Sequence, residues 1–172
     1  MALPSDDLDE EALSLLALSL PAVPPSAAAR ARMLAALEGE SRYVPFATTL
    51  ARLFDLPEVG VRALLARAAD PAEWREGFLP VERFLHFDAG PAMVGLRAGL
   101  VQMLAGTEIP AHRHREREIT LVLEGALTDG DGRAVGPGEW LDMPAGSVHS
   151  LRIDGDRRSV LAVLRGGIEL LG

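Results

Sequence analysis

The 172-residue chain has no cysteine, no lysine and only eight aromatic side chains. Without cysteine there is no disulfide framework, no thiolate metal site and no thiol nucleophile, so any bound metal must rest on nitrogen and oxygen ligands. This also fits a reducing compartment, and the cytoplasm is the expected location. With so few rings, the core must come from Leu, Val, Ile and Ala. The 17 basic residues are all Arg, which reads as a compositional bias of the source genome, and they are outnumbered by 25 carboxylates for a formal charge of -8. That balance argues against direct nucleic-acid binding, which needs clustered cations facing phosphates. The apolar stretch "ALSLLALSLPAV" follows five carboxylates and no Arg; it lacks the basic flank of a signal peptide and is too short to span a bilayer. No membrane partner is expected.

What the chain does have is a change of period. Residues 1–41 read as a helical arm broken by Pro21, Pro24 and Pro25. Asp6, Asp7, Asp9, Glu10 and Glu11 suit the positive end of its first helix. Those carboxylates would also steer a basic partner, although capping and solubility explain them as well. Residues 42–78 carry helical stripes, with Phe46, Leu50, Leu53 and Phe54 on one and Val61, Leu64, Leu65 and Ala68 on the next. These helices need a surface to lie on, either the following domain or a second subunit. Asp70, Pro71 and Glu73 look like the cap, first-turn proline and box glutamate of one more turn. From about residue 79 to 172 the pattern alternates with period two between turn signals such as "AGTEIP", "DGDG", "GPGE" and "PAG", as in a small all-β domain.

Inside that region, "EIPAHRHREREITLVLEG" places His112 and His114 two residues apart, hence on one face of a strand. Glu118 follows after a short irregular gap and shares a face with Thr120 and Val122. His149 comes after the turn "PAG" and shares a face with Leu151 and Ile153. Three imidazoles and one carboxylate directed into a small β domain make a metal site with room for a further ligand. His86 lies outside this pattern and reads as an ordinary residue. Trp74 and Trp140 read as core. Asp142, Glu139, Arg113, Arg115 and Arg117 read as solvated charges, and Thr120 and Gln102 as the only polar neighbours of the ligands.

The spacing of these residues resembles two motifs of the cupin superfamily. The first runs through Gly106, His112, His114, Glu118 and Gly125, and the second through Gly138, Pro144, Gly146 and His149, with Ile153 where the family usually has Asn. The resemblance implies a mainly β fold, a single cupin of the jelly-roll-type antiparallel barrel preceded by an N-terminal helical segment. It also implies His112, His114, Glu118 and His149 as ligands of one divalent ion, with zinc expected first and iron, manganese or nickel as alternatives.

A wider likeness is carried by "RYVPFATTLARLFDLPEVGVRALLARAADPAEW", "VERFLHFDAGPA" and "LAVLRGGIELLG". These segments look like the cupin half of ChrR-type zinc anti-sigma factors, and the Ala/Leu/Pro-rich segment before residue 41 looks like the end of their sigma-binding half. The chain departs from that family at its second, N-terminal zinc site, for which it has no Cys and no His before His86. The resemblance implies an anti-sigma factor or transcriptional regulator that senses a small molecule or an oxidative signal. Its partners would be a sigma factor through residues 1–41, a small molecule in the barrel and, through uncovered strand edges, a second copy of the chain. The alternative is a mononuclear metal-dependent cupin enzyme, a dioxygenase or isomerase, for which no catalytic residue is assigned beyond the ligands. The apolar neighbours of the ligands favour sensing over turnover.

Overall fold

The computed structural model of the chain describes residues 26–28, 30, 39–77 and 82–171. The chain divides into two compact units, Met1–Ala36 and Leu37–Gly172. In the first, the helical hydrogen bond from Arg30 N to Ser26 O (2.8 Å) is described. The acidic cluster at 6–11 and most of the expected arm lie outside the described residues.

In the second unit a 3-10 turn, Gly39–Phe46, leads into two short helices, α1 (Ala47–Phe54) and α2 (Glu58–Ala68). Their buried residues are Ala47, Leu50, Leu53 and Phe54 on α1 and Val61, Leu64 and Leu65 on α2, close to the stripes read from the sequence. A left-handed Asp55 (φ 53°) ends α1, and its carboxylate accepts from Ala92 N at 2.8 Å, fastening a distant loop to the helix end. At the expected cap, Asp70 accepts from Ala72 N (2.8 Å) and starts the 3-10 turn Pro71–Glu73.

Eleven strands follow among the described residues: β1 (Arg75–Glu76), β2 (Glu82–Phe87), β3 (Arg97–Met103), β4 (Glu108–His114), β5 (Glu118–Glu124), β6 (Leu127–Asp129), β7 (Ala134–Val135), β8 (Trp140–Met143), β9 (Val148–Ile153), β10 (Ser159–Arg165) and β11 (Ile168–Leu170). They form a six-stranded sheet in the order β1-β2-β3-β10-β5-β8 and a five-stranded sheet in the order β11-β4-β9-β6-β7, every pairing antiparallel. The fold is therefore mainly β and cupin-like with a helical segment ahead of it. The ladders make two facing sheets and are not closed into one continuous barrel among the described residues.

The six-stranded sheet is buried on both faces. Alternate residues of β5 and β10 (Leu121, Leu123, Val160, Ala162 and Leu164) pack with Leu50, Phe54, Val61 and Leu65 of the helices. The intervening residues (Val122, Leu161 and Val163) pack with Leu127, Leu151 and Ile153 of the second sheet. This explains why "SVLAVLR" reads as a continuous apolar run rather than an alternating one. On β3, the ring of Phe84 occupies the space a side chain at Gly99 would take; an added Cβ would meet that ring at 1.9 Å.

Two residues depart from the sequence reading. Trp140 is 36% exposed, because β8 is the edge of its sheet and none of the described residues forms a further strand beyond it. Gln102 points away from the ligands, into a hollow with Tyr43, Leu65 and Trp74 under the helices, because it alternates with the inward Val101 and Met103. Trp74 is buried as expected, and His86 is exposed and stacked on Phe84 at 3.9 Å. No described helix is long and apolar enough to cross a membrane.

Candidate metal centre

β4 and β9 are neighbours, and their register sets His112 directly opposite His149. Strict alternation from Ile109, which faces the inter-sheet core, would turn His112 outward. A bulge between Ile109 and His112 removes the conflict: three residue steps on β4 match two on β9, from Ile109↔Leu151 to His112↔His149. A single extra residue re-phases the strand, so Ile109, His112 and His114 all face inward. The turn that delivers His149 is tied to the same strand, since Gly146 N donates to His114 O (2.7 Å) and His114 N donates to Ser147 O (3.0 Å). Gly146 takes φ 80°, a left-handed conformation that glycine adopts without a Cβ clash.

The three imidazoles converge. Their ring centroids are 4.6 to 4.9 Å apart, all three residues are buried, and one nitrogen from each lies within 4.8 Å of the others. Glu118, at the start of β5 on the opposite sheet, brings its Oε2 to 3.6 Å from His114 Nδ1, while Thr120 Oγ1 donates to its Oε1 at 3.4 Å.

Hydrogen bonds outside the cluster decide which atoms face it. His112 Nδ1 is 2.9 Å from the carbonyl oxygen of Pro110, which can only accept, so Nδ1 carries the proton and Nε2 keeps its lone pair. His149 Nδ1 donates to Asp129 Oδ1 at 2.7 Å, and its Nε2 is buried without a partner. Both nitrogens of His114 and Oε2 of Glu118 are likewise buried and unpartnered. Unmet buried lone pairs are costly, and the ring nitrogens of the three histidines lie close enough together for one cation to satisfy theirs. Imidazoles held from behind by a carboxylate or carbonyl are the usual support of metal ligands. The residues present therefore fit a divalent ion, and His112, His114 and His149 could chelate it.

Burial lowers the pKa of His114 from 6.5 to about 4, with repulsion from His149 and His112 adding to the effect. Burial also lowers that of His112, opposed by its bond to Pro110. These two rings are thus held neutral, the form that binds metal. Burial raises the pKa of Glu118, opposed chiefly by the charge of Arg165.

Beside Glu118 lies a cavity of about 300 Å³, walled by aliphatic side chains but also reached by Glu82, Arg97 and Arg165. Sequence reasoning missed these three and Asp129. Strand parity could have found them: Asp129 shares a face with Leu127, Glu82 with Phe84, Arg165 with Val163 and Arg97 with Val101. By contrast Arg113, Arg115, Arg117, Glu139 and Asp142 are exposed, as expected, with Arg117 forking onto Asp142 at 2.8 and 2.5 Å.

Two facing antiparallel sheets with a buried histidine cluster on adjacent strands of one of them define a cupin. The chain belongs to the family described as the ChrR cupin-like domain, which matches residues 71–168. No curated protein matches it in sequence. Among solved structures it is similar to a chain in the complex of Rhodobacter sphaeroides SigE with the anti-sigma ChrR: 20% identity, TM-score 0.54, covering 91% of this chain and 75% of that one. It is also similar to an acetylacetone dioxygenase from Acinetobacter johnsonii: 10% identity, TM-score 0.50, covering 60% and 74%. A third likeness is to a cupin-like protein of unknown function from Ralstonia eutropha: 21% identity, TM-score 0.40, covering 42% of this chain and spanning 48% of that one's length. At these identities the likeness establishes the fold alone, and a fold shared by an anti-sigma complex and an oxygenase does not select between them.

Proposed function

We propose that this chain is a ChrR-like metal-binding regulator. In this reading His112, His114, Glu118 and His149 hold one divalent ion, zinc first and iron, manganese or nickel as alternatives, and residues 1–41 contact a sigma factor in the cytoplasm. The observation that carries the metal is the set of buried nitrogens turned toward one another while Pro110 and Asp129 fix two of the rings from behind. When bound, the ion would supply a Lewis-acid centre. The chain's own part is to hold His112 and His114 neutral, to bring Glu118 across from the opposite sheet, and to keep bulk water out with Val122, Leu141, Leu151 and Ile153. Membership of the ChrR cupin-like family supports the regulatory side. A homodimer through an uncovered strand edge belongs to the same reading.

The alternative, a mononuclear cupin dioxygenase or isomerase, is favoured by one observation: the cavity beside Glu118 contains the charged groups Glu82, Arg97 and Arg165, so the surroundings of the ligands are less uniformly apolar than the sequence suggested. Metal analysis of the wild-type protein against His112→Ala and His149→Ala tests the centre; full retention in both variants refutes it. The partner is tested by asking whether an extracytoplasmic-function sigma factor is encoded beside the gene and, with such a factor, by a pull-down using the full chain and a form lacking residues 1–41. Binding lost with the deletion supports the regulator. Binding by neither form, with metal-dependent turnover of a small oxygenated substrate abolished by Glu118→Gln, moves the assignment to the enzyme.

A further inference from the structure

The inter-sheet core contains an ion pair that neither the fold nor the histidine cluster requires. Arg165 Nη2 lies 3.3 Å from Glu82 Oε1 across 83 residues of sequence, with the side chain of Glu82 4% exposed and that of Arg165 25% exposed. The guanidinium carbon sits 5.0 Å from the centre of the Phe84 ring. Removing two charges from water is costly, and an apolar pair of the same volume would often be as stable or more so. The pair stands where a ligand would meet it, in the wall of the 300 Å³ cavity that also reaches Glu118. Arg97 is directly opposite Arg165 on the neighbouring strand and lines the same cavity.

We infer that this cavity binds a small molecule with an apolar body and an anionic oxygen head, a carboxylate of aliphatic chain length, with Arg165 taking the head. The walls that would receive the body are Val101, Met103, Ile109, Leu151, Leu161 and Val163, and the volume is at the lower end of the range for small-ligand pockets, about 300 to 1,000 Å³. The sign of the head follows from the donors. Glu82 engages Arg165 through a single N–H, which leaves the rest of a planar fork suited to a carboxylate, and Arg97 adds a second cation. Of the two carboxylates present, Glu82 is bonded to Arg165 and Glu118 faces His114. A cationic head beside Arg165 would have to displace the Glu82 contact and would meet two like charges, Arg165 and Arg97, whereas an anionic head displaces nothing there.

This inference deepens the regulator reading by naming the class of molecule sensed, and it is tested separately from the metal. Octanoate, octanol and octylamine are titrated into the full-length protein by calorimetry, once loaded with zinc and once stripped with a chelator. The expected result is that octanoate binds about tenfold or more tightly than octanol in both forms, the loss expected for one charge-assisted hydrogen bond, and that octylamine binds no better than octanol. In the double variant Arg165→Met, Glu82→Gln, which removes both charges together, octanoate should fall to the level of octanol while octanol still binds, which shows that the cavity is intact. The wild-type preference is a readout that needs no variant. Equal binding of octanoate and octanol by the wild type overturns the proposal, as does octanoate binding unchanged in the double variant. A preference for octanoate that appears only with zinc and survives the double variant assigns the head to the metal; that outcome overturns the role of Arg165 and leaves the metal reading standing. An Arg165-dependent preference in a protein that fails to bind zinc does the reverse.

Discussion

The six-stranded sheet serves two cores, and they differ in kind. Its outer face meets α1 and α2 through a cluster built from aliphatic and aromatic side chains, with Tyr43 and Trp74 as the only members bearing a polar atom. Its inner face meets the second sheet through a cluster of similar aliphatics, and buried in the same layer are His112, His114, His149, Glu118, Thr120 and Glu82. One strand shows both: on β5, Ile119, Leu121 and Leu123 turn to the helices while Glu118, Thr120 and Val122 turn to the second sheet. The helix side is built to hold, and the inter-sheet side holds less well than it might because part of its volume is given to charge.

The comparison is tested most strongly on the helix side. Phe54 is fully buried and packs edge-to-face on Phe87 at 4.7 Å. Phe54→Ala should cost about 3 to 5 kcal/mol in chemical denaturation, with metal content per folded molecule unchanged. A variant that keeps its stability, or loses metal while folded, breaks the separation between the two cores.

On the inter-sheet side the next largest effect is expected at Asp129, which orients His149. Asp129→Asn should weaken zinc binding by about 10- to 100-fold in a competition titration, with little change in the melting temperature of the metal-free protein. An unchanged affinity would make Asp129 a turn residue only.

Acid and alkali sharpen the contrast. His112 and His114 have lowered pKa values in the fold, so they bind fewer protons folded than unfolded, and their contribution is present above about 6.5 and lost as pH falls below it, for His114 through about 4. Glu118 has a raised pKa and runs the other way, its contribution present below the usual value of 4.5 and lost as pH rises. Metal-free Glu118→Gln protein should therefore lose stability more steeply than wild type between pH 6.5 and 4. On the helix side Tyr43 has a raised pKa, through burial and its hydrogen bond to Glu124. Its contribution is present below pH 10 and lost above, and Tyr43→Phe should flatten that alkaline limb. Denaturation midpoints across pH read both arms.

The smallest effect belongs to the surface. Arg117 and Asp142 form a well-aligned pair, but both are about half exposed, where solvent and salt screen the interaction. Arg117→Ala should leave the denaturation midpoint almost unchanged in 0.5 M salt. A clear loss there would mean that the edge strand β8 depends on the pair.

The sequence by itself determined what depends on near neighbours in the chain. The i, i+2 spacing of His112 and His114, the shared face of Glu118, Thr120 and Val122, the helical stripes and the turn positions of Gly106, Gly125, Gly138 and Gly146, all with positive φ, follow from strand and helix periods that act over a few residues. Other features were decided by the way the sheets pair and face each other. The bulge after Ile109 exists because β4 must match β9, and only the pairing shows where the extra residue falls. Asp129 stands behind His149 because β6 lies beside β9, and Arg165 reaches Glu82 because β2, β3 and β10 share one sheet. Trp140 is exposed because, among the described residues, no strand follows β8 at that edge. Parity says which face of its strand a residue occupies, but which residue waits on the opposite wall is set by contacts between strands far apart in the chain, and those exist only once the sheets have formed.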